Sequence, residues 1–395
     1  MLQTSVTSKI AHKSVKKVRG FIFIAVLLTF FNRPYALGLD ISSILITILF
    51  LGLSAIIYSA TPQTIEKGTE QLQTMLIYYF INLVSLAVFG MAGFSNISSL
   101  LQVVIVFLMF HNKEVMYYFF KYYIFIVLIL CFLGIINFFL ETVYPIEKLY
   151  IIPEINYVGK VYSYSLSFPL TWISGFWYIP GDAVFSGYHA RQTYFFIEAG
   201  MVPTFFIAVI FIIQNFRKID HKVSKVVLIL LGVLLTFSIG GPIILFSSFA
   251  VYYMLKSKKG GLVFKVIVAM IMLSIAWYVY NYMPLFGKQA RLESSGLQAE
   301  SMEMHENVGN YIIASVVIMW ILAWRMARFK KDKVTFLTIA FILGIGYMSN
   351  YIGYTTLATM FYFWDGDTCT EIFINKRKRS HNLKKRNIES AIQYS

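Results

Sequence analysis

Charge is what this chain has least of. Only 13% of its 395 residues are Asp, Glu, Lys or Arg, against 58% hydrophobic and 17% aromatic, and a soluble surface cannot be covered with so few charges. A soluble enzyme and a disordered regulator are both excluded. Cysteine is nearly absent: Cys131 and Cys369 are the only two, which rules out a secreted disulfide scaffold. Cys131 lies in an apolar run and Cys369 in a polar tail, so no disulfide is expected. Acidic side chains are missing from the apolar runs, where Glu198 alone falls clearly inside one. An ion-coupled transporter or proton pump usually needs intramembrane carboxylates or histidines facing a pathway. The chain also lacks a phosphate-cradling G-x-x-x-x-G-K-[ST], an H-E-x-x-H and any Cys/His metal spacing. That argues against a primary pump and a zinc-dependent membrane protease, and no cofactor is expected. There is no 20–50-residue repeat and no coiled-coil heptad.

What is there is a succession of apolar runs near 20–38, 41–60, 72–91, 97–110, 115–140, 192–214, 226–238, 241–256, 263–283, 308–324, 334–349 and 351–364. Each approaches the roughly 20 residues that cross a bilayer. The expected fold is therefore all-α: a polytopic integral membrane protein of about twelve transmembrane helices, forming a single transmembrane domain over 1–395. Ser238-Ile239-Gly240-Gly241-Pro242 splits one long run, because proline lacks an amide donor and glycines permit a tight turn. Ser349-Asn350 splits another. At the N-terminus, five basic residues precede Phe21–Phe31 in the manner of a signal peptide, but Arg33-Pro34 follows where a small-residue cleavage site would stand. The reading is an uncleaved first span.

The net charge of +15 lies in short patches between those runs. With the N-terminus inside, 26 Lys/Arg fall on inner segments (1–19, Lys67, Lys113, 216–225, 256–259, 325–333 and 376–386) and six outside: Arg33, Lys148, Lys160, Arg191, Lys288 and Arg291. This is the positive-inside pattern. It predicts cytoplasmic termini, with 366–395 as a basic cytoplasmic tail near anionic headgroups rather than a nucleic-acid-binding arm. Two larger loops remain on the outer, periplasmic side, about 141–191 and 284–307. The first is rich in aromatics, among them Tyr144, Tyr150, Tyr157, Tyr162, Tyr164, Trp172, Trp177, Tyr178 and Tyr188. These suit either an interfacial belt or a carbohydrate-facing surface on which rings stack against sugars.

From this loop the chain runs Tyr188-His189-Ala190-Arg191-Gln192-Thr193-Tyr194-Phe195-Phe196-Ile197-Glu198-Ala199-Gly200 into the sixth expected span. On a helix, the spacing of seven would put Arg191 and Glu198 on one face, two turns apart. A carboxylate in a span is costly unless paired or in a wet cavity. Arg191 could equally be an interface anchor.

The arginine, the paired aromatics Phe195-Phe196 and Glu198-Ala199-Gly200 resemble a segment of bacterial O-antigen and capsular polysaccharide polymerases, relatives of the O-antigen ligases, with Ala199 where proline is usual. Leu234-Leu235-Thr236-Phe237-Ser238-Ile239-Gly240-Gly241 resembles that family's Thr-x-Ser-Arg-Gly-Gly turn, with Ile239 in the arginine's place. His305-Glu306-Asn307, after Arg291, stands where the family often has His-Asn, although the loop is short and lacks its Gly-x-Gly. The resemblance covers roughly 190–325 by motif and the whole chain by topology. It implies a glycosyltransferase of the bacterial inner membrane that polymerises polyprenyl-pyrophosphate-linked oligosaccharide repeats at the outer face. Its partners would be that lipid-linked oligosaccharide, membrane lipid and, as a candidate, a chain-length regulator.

Such a reaction develops charge on a pyrophosphate leaving group, which preorganised cations stabilise. Arginine suits this because its fork binds phosphate oxygens bidentately. Arg191 is the first candidate and Arg291 the second, while Arg33 reads as an anchor. Tyr188 and Trp177 are candidates for substrate binding. A general base is needed within hydrogen-bond reach of the attacking hydroxyl; Glu198, His189, His305 and Asp182 are open to that role. The competing reading is a polysaccharide-repeat flippase, which also has about twelve spans but gains nothing from large outer loops. A membrane acyltransferase decorating a glycan lacks its expected early cytoplasmic histidine motif.

Overall fold

The computed structural model describes residues 2–30, 43–65, 67–88, 94–143, 150–157, 160–168, 171–179, 187–194, 200–216, 220–238, 240–257, 267, 270, 271, 274, 306–350 and 356–365. In chain order these form α1 Leu2–Phe30, α2 Ser43–Ala60, α3 Gly68–Val88, α4 Phe94–Phe110, α5 Lys113–Val143, β1 Tyr150–Tyr157, β2 Lys160–Phe168, β3 Thr171–Ile179, β4 Gly187–Tyr194, α6 Val202–Asn215, α7 Lys222–Leu234, α8 Gly240–Lys256, α9 Glu306–Ala327, α10 Lys333–Asn350 and α11 Thr356–Phe363. The body is helical, as the apolar runs imply. The expected span at 263–283, the loop at 284–307 up to Glu306 and the tail at 366–395 lie outside the described residues, apart from four helical positions between 267 and 274.

Helix α6 is the centre of the bundle. Every side chain from Phe206 to Ile213 is fully buried, and a helix that is apolar on all sides belongs in a core. Its neighbours approach through small residues: a side chain at Gly346 of α10 would collide with Thr204, and one at Gly241 of α8 would meet Val233 and Pro203. Between α4, α5 and α11 lies an aromatic cluster of Phe110, Phe119, Phe120, Tyr123 and Phe361, with ring centroids 5.1–6.5 Å apart. Such spacing is typical of offset and edge-on ring contacts.

The outward faces are also apolar. Ile48, Ile77, Phe80, Phe125, Phe132, Phe139 and Trp324 are each more than half exposed. Among the described residues one helix, Lys113–Phe139, is long and apolar enough to cross a membrane by length and composition; Leu45–Ala60, Leu100–Phe110, Val202–Gln214, Ser315–Ala327 and Lys333–Gly346 are shorter apolar helices.

Two corrections to the sequence reading bear on function. The all-α expectation holds for the helical body but not between Tyr150 and Tyr194, where the expected loop 141–191 contains a four-stranded antiparallel sheet in the order β1-β2-β3-β4. The signal was available in Tyr162-Ser163-Tyr164-Ser165-Leu166-Ser167-Phe168, whose period of two is that of a strand. Secondly, the expected span at 192–214 begins only at Val202. Pro203 sits in the first turn of α6, where its missing amide costs nothing, and the chain before Tyr194 is claimed by pairing with β3. The break at 238–242 is seen as expected: α7 ends at Leu234 and α8 starts at Gly240. Thr236 closes the turn by donating to the Val233 carbonyl at 2.7 Å and accepting from the Ser238 amide at 3.3 Å.

The turns divide between two ends of the bundle. At one end, loop 61–65 is clamped to residues 111–113. The amides of Thr64 and Ile65 donate to the His111 carbonyl, the Asn112 side-chain amide donates to the Pro62 carbonyl at 2.7 Å, and Asn112 Oδ1 caps α5 by accepting from the amides of Glu114 and Val115. The sheet docks towards the other end of α5, against Gly134. That is roughly 30 Å from Lys113 at 1.5 Å rise per residue.

Candidate functional site

Tyr194 closes β4 and joins the sheet to the bundle. It is fully buried, its hydroxyl donates to the Gly232 carbonyl of α7 at 2.9 Å, and its ring lies 5.1 Å from that of Phe206 on α6. The absence of side chains makes this possible: a Cβ at Gly134 would lie 2.5 Å from Tyr194 Cε1, and one at Gly232 would lie 3.2 Å from the hydroxyl and 2.5 Å from Cys131 Sγ. Tyr194 itself has φ 54, a left-handed conformation that is costly for a residue with a Cβ. It is held there by burial on three helices.

Three residues earlier on this anchored strand is Arg191. Trp177 pairs with His189, Tyr178 with Tyr188 and Phe176 with Ala190; the next pair along is Ile173 with Gln192. Between those last two pairs β3 carries Ser174 and Gly175 where β4 carries only Arg191. Two residues opposing one is a β-bulge, a device that bends a strand and re-aims its neighbours, and glycine is common at such kinks. Directly paired residues share a face of a sheet, as do residues two apart on a strand. Trp177, His189 and Arg191 therefore occupy one face, with Arg191 about 7 Å along the strand from His189.

Of the seven candidate residues, this arrangement brings together Trp177, His189 and Arg191. Tyr188 is on β4 too, on the face opposite those three. Glu198, Arg291 and His305 lie outside the described residues, as does Asp182. The helical argument pairing Arg191 with Glu198 does not stand, because Arg191 is in β4 and a strand does not bring residues seven apart onto adjacent turns. Among the described residues no group of three or more His, Cys, Asp or Glu side chains could hold a metal ion.

Comparisons with protein-family models, with curated proteins and with solved structures return no match for this chain.

The residues that sequence reasoning missed are those that mount the sheet: Gly134, Gly232 and Tyr194. Nothing local in the sequence marks them, since glycines within apolar helices and a tyrosine among aromatics are unremarkable until the helices are packed. The bulge at Ser174-Gly175 had a weak local signal, an isolated glycine inside a strand-like run.

Proposed function

We propose that this chain is a multi-pass membrane glycosyltransferase that polymerises polyprenyl-pyrophosphate-linked oligosaccharide repeats into O-antigen or capsular polysaccharide at the outer face of the bacterial inner membrane. The observation that carries the reading is the grouping of Trp177, His189 and Arg191 on one sheet face beside a bulge, mounted at the end of the bundle away from the basic turns. The twelve-span arrangement with cytoplasmic termini belongs to the same proposal. Outward-facing apolar side chains on α2, α3, α5 and α9 support it as a lipid-facing belt. So does the gathering of Lys67, Lys113, Arg328, Lys330 and Lys331 around one cavity at the opposite end from the sheet, which is the asymmetry that the positive-inside rule requires.

In this reaction an acceptor sugar hydroxyl on an incoming repeat attacks the anomeric carbon of the growing glycan. A new glycosidic C–O bond forms as the bond to the carrier's pyrophosphate breaks, and the pyrophosphate departs with the electron pair. His189 takes the hydroxyl proton as general base, since imidazole titrates nearest to neutrality. Arg191 binds the departing pyrophosphate through its planar fork. Trp177, paired with His189, offers an aromatic face to the sugar ring. Both substrates arrive within the membrane, so no nucleotide sugar is required.

Deleting the gene in its native host and resolving the surface polysaccharide on a gel tests this reading. Single repeat units on the lipid anchor are the expected result. Loss of all surface repeats would instead favour the flippase.

A further inference from the structure

The end of the bundle remote from the sheet has a second feature, a cavity of 210 Å³. It is lined by Lys67 before α3, Gln71 on α3, Lys113 at the start of α5, Arg328, Lys330 and Lys331 in the α9–α10 turn, and Asp365 after α11, with Ile65, Met116, Phe329 and Phe363 supplying apolar walls. Five cations thus share the cavity with one carboxylate. The cations come from three turns of the chain, before α3, at the start of α5 and between α9 and α10, and the clamp between loop 61–65 and residues 111–113 fixes the first two relative to each other.

Lys330 is the unusual member. It is 3% exposed, and its Nζ lies 5.1 Å from the centre of the Phe336 ring. Burying an ammonium is costly, and a topology signal needs only charge at the surface, which Lys331 and Lys333 already provide. Arg328 beside it is pre-positioned: its guanidinium stacks 4.5 Å from the Phe329 ring and reaches Thr74 Oγ1 at 3.5 Å. A cavity lined by a buried lysine, an arginine stacked on an aromatic ring and further lysines is suited to a multiply hydrogen-bonding anion. Its volume is below the roughly 300 Å³ at which sites for drug-sized ligands begin, a size that suits a phosphate-bearing group.

We propose that the cavity bounded by Lys67, Lys113, Arg328 and Lys330 binds a phosphate group, presented by an anionic phospholipid headgroup or by free phosphate or pyrophosphate. Basic pockets between helix ends are established ways of holding anionic headgroups. The inference is independent of the sheet's chemistry, since the two sites sit at opposite ends of α5.

Burial lowers the Lys330 ammonium to about 8, against an upward pull from Asp365. The other charged groups facing it are Lys67, Lys113, Arg328 and Lys331. An anion favours the protonated form, so its affinity should fall as pH rises through that value.

The test uses the full-length protein, delipidated in neutral detergent. One arm titrates inorganic pyrophosphate calorimetrically. The other follows retention of phosphatidylglycerol against phosphatidylcholine by native mass spectrometry, a phosphodiester whose own charge does not change between neutral and mildly alkaline pH. Preferential phosphatidylglycerol binding identifies a lipid headgroup as the source; pyrophosphate binding without lipid preference identifies the free anion. In either case Lys330→Met should weaken binding by about tenfold or more, the loss of a charge-assisted hydrogen bond. The exposed-position pair Lys67→Gln with Arg328→Gln, which leaves the core untouched, should also weaken it severalfold. Wild-type phosphatidylglycerol binding should drop by up to about tenfold between pH 7 and pH 9. If neither probe binds, or if both variants bind as tightly as wild type, the proposal is overturned.

Discussion

Arg191→Ala will nearly abolish polymer while leaving the protein in the membrane at wild-type abundance. The expectation rests on where charge develops: the leaving pyrophosphate gains negative charge in the transition state, and a preorganised cation stabilises that state more than the bound substrate. Losing one such contact typically costs about 3 kcal/mol, or roughly a hundredfold in rate. Polymer should therefore vanish from a gel rather than merely shorten. Arg191→Lys should recover little, because a point charge cannot reproduce the two-pronged phosphate contact. Tyr188→Ala, on the opposite face of the same strand, should leave far more polymer than Arg191→Ala. Should both Arg191 variants make wild-type chain lengths, Arg191 is an interface anchor and the pyrophosphate site must be sought around Arg291.

The second large effect is expected at Gly134, on α5 against the Tyr194 ring. A Cβ there would lie 2.5 Å from Tyr194 Cε1, 2.7 Å from its hydroxyl oxygen and 2.9 Å from Cζ, so Gly134→Val forces the ring out of its socket. Tyr194 is the residue that fixes the end of β4, three positions from Arg191, and its loss should free the sheet from α5, α6 and α7. Polymer should fall about as far as in Arg191→Ala. The melting temperature in detergent should fall too, since overpacking a tight contact costs about 1–3 kcal/mol. Tyr194→Phe makes the contrast: it keeps the ring and forfeits one hydrogen bond, worth about 1 kcal/mol, so most polymer should remain. A Gly134→Val protein that melts and polymerises like wild type would show that Tyr194 does not mount the site.

The described helices were legible where an apolar run ends at a breaker, as at Ser238 to Pro242. The sheet was misread for a physical reason. Proline ordinarily interrupts a strand, and the segment carries Pro153, Pro169 and Pro180, yet β1 and β2 lose register between Ile152 and Ile155, so that Pro153 falls at a bulge, where proline is tolerated in sheets. Pro169 and Pro180 follow the last residues of β2 and β3. The alternating serines of β2 then outweigh the prolines. At β4 the error ran the other way: Tyr194-Phe195-Phe196-Ile197 looked like the start of a span, and only pairing with β3 gives Arg191 to the sheet. Of the candidate site, Trp177, His189 and Arg191 stood out in the sequence by residue type. Their shared face, the bulge opposite Arg191 and the separation of Tyr188 were not, because these depend on register between strands. The socket formed by Gly134 and Gly232 depends on helices distant in sequence and was beyond any local reading.

The central claim is that this chain alone joins lipid-linked repeats without a nucleotide sugar. The most direct measurement is reconstitution of the purified full-length protein in lipid vesicles with polyprenyl-pyrophosphate-linked repeat units as the sole substrate, following product by gel and released polyprenyl pyrophosphate by mass spectrometry. The account predicts a ladder of lengthening glycans, with one carrier pyrophosphate released per bond formed, and neither product from the Arg191→Ala protein. Repeat units that cross the bilayer unchanged, with no ladder and no released carrier, would contradict it.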